Sequence, residues 1–153
     1  MNDIMTTETL AIAVWRSISE DLSDQAAALA IHREELTYDG LVDAQNDIDA
    51  GDYLVLTDEE ADERCTEYIK ESVWAFTPSF LQAHTGVDAD VIKKIQEMCE
   101  GANEPLTAMI KDLDWFVEDA VRCDGRGHFL AGYDHNENEA TYNGTTYYIY
   151  RVN

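Results

Sequence analysis

The chain has 153 residues, of which 32 are Asp or Glu and 10 are Lys or Arg, so its formal net charge at pH 7 is −22. The length fits one domain, and a hydrophobic content of 45% argues against intrinsic disorder in spite of that charge. Nucleic-acid and anionic-lipid surfaces are bound by basic patches, which ten basic residues scattered among 32 acids do not readily supply. We therefore expect no direct nucleic-acid partner and no membrane partner.

The cellular location is indicated by three features. No apolar run approaches the roughly 18 residues of a membrane span. The first residues lack the basic start and apolar stretch of a signal peptide. The three cysteines, Cys65, Cys99 and Cys123, are an odd number at irregular spacing, which is typical of a reducing compartment. The sequence therefore predicts a cytoplasmic protein.

Hydrophobic spacing predicts that the chain begins with helices. A first helix is expected over residues 8–21, a second Ala-rich one after the capping residue Ser23, and a short third over residues 41–48. Residues 53–56 are a short run of β-forming residues and predict a strand. The run Thr57-Asp58-Glu59-Glu60 then matches a capping box, which predicts the start of another helix.

Further helices are expected from Thr77-Pro78 to Gly86, from Asp88 to Gly101, and over residues 103–121. A strand is expected at residues 128–131. The dipeptide Asn143-Gly144 lies between two β-forming runs and predicts a type I′ hairpin. The predicted fold class is α+β, a mostly helical body with a small C-terminal antiparallel sheet that the strand at 53–56 joins at its edge.

No internal repeat, low-complexity segment or proline-rich linker divides the chain. We therefore expect a single acidic domain over residues 1–153. Within it, residues 1–50 are a candidate helical N-terminal layer, and residues 51–153 supply the helical body and the sheet.

The uneven distribution of the acids is the strongest functional signal. Residues 34–71 hold 14 acids and two bases. Several acids recur every four residues, about 6 Å along a helix, which is comparable to the step between phosphates on one DNA strand. Such like-charged pairs each destabilise a helix by about 0.2–0.5 kcal/mol, so folding alone gives no reason to align them. The residues expected to bind a partner are Asp39, Asp43, Asp47, Asp49, Asp52, Asp58, Glu59, Glu60, Glu63, Glu67 and Glu71.

The total charge also matches that of DNA. Duplex DNA carries one charge per roughly 1.7 Å, so 22 charges correspond to about 37 Å of duplex. A compact domain of this length is about 38 Å across. These values are consistent with DNA mimicry, while a solvated acidic surface that confers solubility or salt tolerance is the alternative.

Other candidate sites are weaker. Residues 47–58 faintly resemble an EF-hand loop, but the turn glycine comes one place early and the last position is not Glu; residues 134–139 lack the glycine. Cys65 and Cys99 lie on apolar helix faces and are expected in the core, whereas Cys123 has no zinc-binding or nucleophile motif with a nearby histidine. We expect no metal, no cofactor and no enzymatic activity, with a small enzyme or a calcium-binding module as a further alternative.

The segment Gly125-Arg126-Gly127-His128 has two interpretations. Two glycines around an arginine can bring backbone close to an anion. The favoured interpretation is that these residues form a tight turn from a helix into a strand.

Four stretches of the C-terminal half carry a resemblance: residues 53–62, 72–76, 124–134 (DGRGHFLAGYD) and 147–153 (YYIYRVN). Through them, residues 52–153 resemble a group of small uncharacterised proteins encoded by tailed bacteriophages. The resemblance implies a protein made inside an infected bacterium, and it carries over no activity and no site residue. In composition alone, the chain is also similar to acidic DNA-mimicking inhibitors of restriction or CRISPR enzymes.

These observations predict a phage-encoded, non-enzymatic inhibitor of a basic host DNA-binding protein in the bacterial cytoplasm. Its acidic face would occupy the DNA channel of a restriction, CRISPR or recombination enzyme, and salt would weaken the complex. The alternative is an accessory phage protein whose acidity serves solubility or salt tolerance. The oligomeric state stays open, with a homodimer among the alternatives.

Overall fold

The computed structural model describes residues 7–18 and 21–153. Those residues are mostly helical and include a three-stranded antiparallel sheet, so the predicted α+β class is confirmed. The chain divides into two compact units: unit 1 comprises Met1–Asp62 and Arg126–Asn153, and unit 2 comprises Glu63–Gly125. Within the described part of the chain, no helix has the length and apolar character needed to cross a membrane. The single domain over residues 1–153 stays a prediction.

Unit 1 consists of helices packed on the sheet. Its elements are α1 (Thr7–Ile18), α2 (Asp24–Arg33), α3 (Tyr38–Asp49), β1 (Tyr53–Thr57), the start of α4 (Asp58–Glu71), α9 (Arg126–Leu130), β2 (Asn138–Tyr142) and β3 (Thr145–Arg151). The strand order is β1-β3-β2, and Val55 pairs with Ile149 in the core-facing register. Five consecutive residues of α2, from Ala26 to Ala30, are buried, and they share one hydrophobic core with sheet residues such as Val55 and Ile149.

The regular structure of unit 2 is entirely helical, with short connections between the helices. It contains the remainder of α4, two short 3₁₀ helices (Val73–Ala75 and Cys99–Ala102), α5 (Pro78–Thr85), α6 (Ala89–Gln96), α7 (Asn103–Met109) and α8 (Leu113–Asp124). Phe116 is fully buried and its ring contacts Phe76, Phe80 and His84, with ring centres 5.0–5.2 Å apart. This aromatic cluster joins α5 to α8.

Several local predictions are confirmed. The Oγ of Ser23 accepts a hydrogen bond from the Ala26 amide at 3.1 Å and caps α2. In the capping box, the Thr57 amide donates to Glu60 at 2.9 Å and the Glu60 amide donates to the Thr57 hydroxyl at 3.3 Å. At the hairpin, Asn143 and Gly144 have φ of 52° and 82°, as a type I′ turn requires.

The predicted single helix over residues 103–121 is wrong, because the chain breaks between α7 and α8. Ile110 has an extended ψ of 128°. The Lys111 amide donates to the His84 carbonyl at 3.1 Å, outside any helix. Asp112 then caps α8 by accepting a hydrogen bond from the Trp115 amide at 3.1 Å. A tertiary hydrogen bond and a new cap therefore replace one turn of helix.

Other boundaries also differ. The predicted strand at residues 128–131 is wrong, since residues 126–130 form α9. The helix after Asp88 ends at Gln96, and Cys99 is exposed with φ of 53° instead of lying in the core, whereas Cys65 is buried as expected. The first helix ends at Ile18; the predicted extension crosses residues 19 and 20, which lie outside the described residues, and Asp21 is in a turn.

Candidate functional site

Helix α4 presents a row of three glutamates in unit 2. Glu63, Glu67 and Glu71 are exposed and follow one another at four-residue intervals, about 6 Å along the helix axis. Within residues 7–18 and 21–153, no ion pair reaches these three carboxylates. We call these three residues the α4 row.

The predicted site residues at the start of α4 serve the fold of unit 1. Asp58 forms an ion pair with Arg126, and Glu60 accepts the capping-box hydrogen bond from Thr57. Glu59 is exposed in the first turn, where a negative charge interacts favourably with the helix dipole. Asp58 and Glu60 therefore have structural roles.

Helix α3 carries the other predicted row of acids. Two of its carboxylates have side-chain partners among the described residues and two do not. Asp39 and Asp43 are exposed, and among residues 7–18 and 21–153 no ion pair or side-chain hydrogen bond engages either carboxylate. Asp47 forms an ion pair with Arg33 at 2.5 Å, and Asp49 accepts a hydrogen bond from Gln45 at 3.0 Å.

Asp52 lies beyond the end of α3, just before β1. It is half-buried and contacts the last residue of the chain, since the side-chain amide of Asn153 donates to its carboxylate at 3.2 Å. Asp52 thus links the segment that follows β3 to the residues just before β1.

The positive charges of unit 1 are all arginines, a feature that the charge count alone did not reveal. Unit 1 has 19 acids and four bases, a net charge of −15, and its bases are Arg16, Arg33, Arg126 and Arg151. Each guanidinium lies over a tyrosine ring, with distances to the ring centre of 5.7 Å (Arg16 and Tyr142), 4.8 Å (Arg33 and Tyr53), 4.7 Å (Arg126 and Tyr148) and 3.7 Å (Arg151 and Tyr133).

Three of these arginines also form ion pairs. Arg16 pairs with Asp24 and Arg33 with Asp47. The side chains of Arg16 and Arg33 are only 29% and 18% exposed. Stacking on tyrosine and pairing with a neighbouring carboxylate therefore shield the guanidinium groups of Arg16 and Arg33 from much of the solvent.

Arg126 has the most partners. Its guanidinium donates to Asp58 and Asp62 at 2.9 Å and to Glu137 at 2.8 Å, and its side chain is 11% exposed. The Tyr150 hydroxyl donates to the same Glu137 at 2.5 Å. Burial alone lowers the pKa of Arg126, but its hydrogen bonds to Glu137 and Asp58 outweigh burial and raise that pKa above its ordinary value.

The segment around Arg126 is a turn between two helices. Gly125 has φ of 81° and ends α8, and α9 follows directly. Because the Arg126 guanidinium is surrounded by three carboxylates, this arrangement gives no support to the anion-binding interpretation.

Unit 2 contains a His–Asp pair in which His84 is buried and Asp119 is partly buried. His84 Nε2 lies 2.7 Å from Asp119, and the two side chains are 5% and 15% exposed. The Asp119 carboxylate accepts hydrogen bonds from Arg122 and from His84, and these bonds, the one from Arg122 most, lower its pKa. The Cys123 thiol donates to the same carboxylate at 3.7 Å. The thiol thus contacts the carboxylate, whereas a Cys–His nucleophile needs an imidazole beside the sulfur.

A metal site is not apparent among residues 7–18 and 21–153, in which no group of three or more His, Cys, Asp or Glu side chains is placed to hold an ion. The stretch 47–58 is not one loop, since its first three residues lie in α3 and its middle forms β1.

Comparisons with protein-family models, with curated proteins and with solved structures found no match to this chain.

Proposed function

We propose that this chain is a phage-encoded, non-enzymatic inhibitor that competes with DNA for the basic channel of a bacterial DNA-binding or defence protein. The observation that carries the proposal is the separation of charge in unit 1. Its four cations stack on tyrosines, while Asp39 and Asp43 remain exposed on α3. A DNA-binding channel would therefore meet carboxylates on this unit with few competing cations.

The α4 row supports the same function in unit 2. Its two like-charged pairs each destabilise the helix by about 0.2–0.5 kcal/mol, and no ion pair among the described residues offsets that repulsion. Binding to a basic partner would relieve it. Residues 52–153 resemble phage proteins, and a phage benefits when it inhibits a host enzyme that attacks its DNA.

The mechanism is electrostatic competition. The net charge of −22 steers a basic partner toward the chain and speeds association, and carboxylates then take positions that phosphates occupy in the DNA complex. Because the attraction acts between partly exposed charges, binding weakens as salt rises.

The test is capture followed by elution with DNA. The immobilised chain is exposed to bacterial lysate at about 50 mM salt, and bound proteins are eluted either with duplex DNA or with about 300 mM salt. The proposal expects a DNA-binding protein that both treatments release. Capture of no protein that duplex DNA displaces would contradict the proposal and favour acidity that serves solubility or salt tolerance.

A further inference from the structure

Unit 2 contains a surface groove that combines aromatic rings with carboxylates. It has a volume of about 380 Å³ and is lined by Tyr68, Glu71, Ser72, Trp74 and Glu100. Tyr68 is 48% exposed, and Trp74 is partly buried. Glu71 also ends the α4 row, so the groove is continuous with the row.

The aromatic wall of the groove is held in place by backbone contacts. The Trp74 amide donates to the side chain of Asn103 at 3.1 Å, and its carbonyl accepts a hydrogen bond from Gln96 at 2.9 Å. At the end of α4, the Ser72 hydroxyl donates to the Tyr68 carbonyl at 2.6 Å. A ligand would therefore meet a wall whose backbone is already positioned, which reduces the entropy lost on binding.

This combination of groups fits a guanidinium. Aromatic faces attract cations, Trp most strongly, and carboxylates accept the paired N–H donors of arginine. An ammonium gains less, because it is compact, strongly hydrated and lacks a planar face that stacks on a ring. The groove should therefore prefer arginine to lysine.

Unit 2 contains an internal example of the same chemistry. The Arg122 guanidinium lies 5.5 Å from the centre of the Trp115 ring and forms an ion pair with Asp119 at 2.6 Å. A tryptophan ring beside a carboxylate thus already holds an arginine in this fold.

We propose that the groove binds an arginine side chain from the DNA-binding surface of the protein partner. The inference rests on the proposed function. It adds one specific side-chain contact to binding that otherwise depends on the overall negative charge. The α4 row would attract the basic surface of the partner. The groove would then hold one arginine of that surface at a defined position.

The experiment compares labelled oligo-arginine and oligo-lysine peptides of equal length by fluorescence anisotropy with the full chain. The unsubstituted chain should bind oligo-arginine about 5- to 30-fold more tightly than oligo-lysine. Tyr68→Ala and, separately, Glu100→Gln should remove most of that preference. Tyr38→Ala removes an exposed tyrosine beside acids in unit 1 and should leave the preference unchanged.

Thermal melts establish that each variant is folded, and Glu100→Gln keeps the test valid if Tyr68→Ala unfolds. Equal affinity for the two peptides, or a preference that survives both groove variants, would overturn the inference. Failure of the proposed function has a different signature: the arginine preference would persist while no captured protein is displaced by duplex DNA.

Discussion

Arg126 and Asp62 form an ion pair at 2.9 Å that joins the two chain positions between which unit 2 is inserted. Asp62 is the last residue of unit 1 before the insertion, and Arg126 is the first residue after it. The same guanidinium reaches Asp58 and Glu137, so one side chain fastens α4, α9 and the segment before β2 within unit 1. Arg126 is thus the main structural cation of that unit.

Replacing Arg126 with Ala should lower the free energy of unfolding by about 2 kcal/mol. The three carboxylates would repel one another without their shared cation, and the stacking on Tyr148 would be lost; the exposure of Asp58 and Asp62 keeps the loss moderate. Urea denaturation followed by tryptophan fluorescence measures the change. Arg126→Lys should retain less than half of the stability that Arg126→Ala loses, because a lysine ammonium lacks the planar guanidinium that donates to several carboxylates at once. Full recovery would show that charge alone matters.

Gly127 should not tolerate a side chain. A Cβ at this position would lie 2.8 Å from the His135 carbonyl oxygen and from the Glu137 amide nitrogen, and backbone atoms cannot move aside easily. Gly127→Ala should therefore destabilise the chain by about 2–3 kcal/mol in urea denaturation. Gly101→Ala is the control, since the nearest atom to its Cβ lies 3.8 Å away. Similar stabilities for the two variants would contradict this packing argument.

Local signals predicted much of the fold. The capping box, the Pro78 helix start and the Asn143-Gly144 hairpin each depend on a few adjacent residues, and the structure has all three. The break near Ile110 was missed because the apolar spacing continues in helical phase across it. Its cause, the hydrogen bond from Lys111 to the His84 carbonyl, arises only in the folded chain.

The candidate site was predictable only in part. Four-residue spacing placed Glu63, Glu67 and Glu71 on one exposed helix face. It did not indicate that Asp47 and Asp58 have arginine partners, since those arginines are distant in sequence or on another helix. The absence of lysine from unit 1 was the available signal that its cations stack on tyrosine.

The cap at Asp112 can be tested separately. Asp112→Ala removes the hydrogen bond to the Trp115 amide and should lower the free energy of unfolding by about 1 kcal/mol. Asp114→Ala removes an acid from the same helical turn without removing the cap, and should have a smaller effect. If α7 and α8 were instead one helix, Asp112→Ala would stabilise the chain, because alanine has the higher helix propensity.

Asp119 should make stability depend on pH in the acidic range. Its pKa in the folded chain lies below the ordinary value of 3.8, so its contribution is complete above that value and is lost as pH falls through the folded pKa. The difference in unfolding free energy between the unsubstituted chain and Asp119→Asn should be larger at about pH 5 than at about pH 3, because it shrinks as the pH falls below about 4. A difference that grows on acidification would contradict the assignment.

The most direct test of the electrostatic account compares two variants with the same net charge. One carries Glu63→Gln, Glu67→Gln and Glu71→Gln, and the control replaces three exposed acids elsewhere in unit 2 by their amides: Glu97→Gln, Glu118→Gln and Asp124→Asn. Both lose three negative charges, so only the placement of the lost charge differs.

The measurement is the Kd for a captured protein that duplex DNA displaces. The account predicts that loss of the α4 row raises the Kd by about tenfold more than the control, while folding stability stays equal or rises slightly. Equal weakening by the two variants would show that binding depends on diffuse charge, and no weakening by either would contradict mimicry by the α4 row.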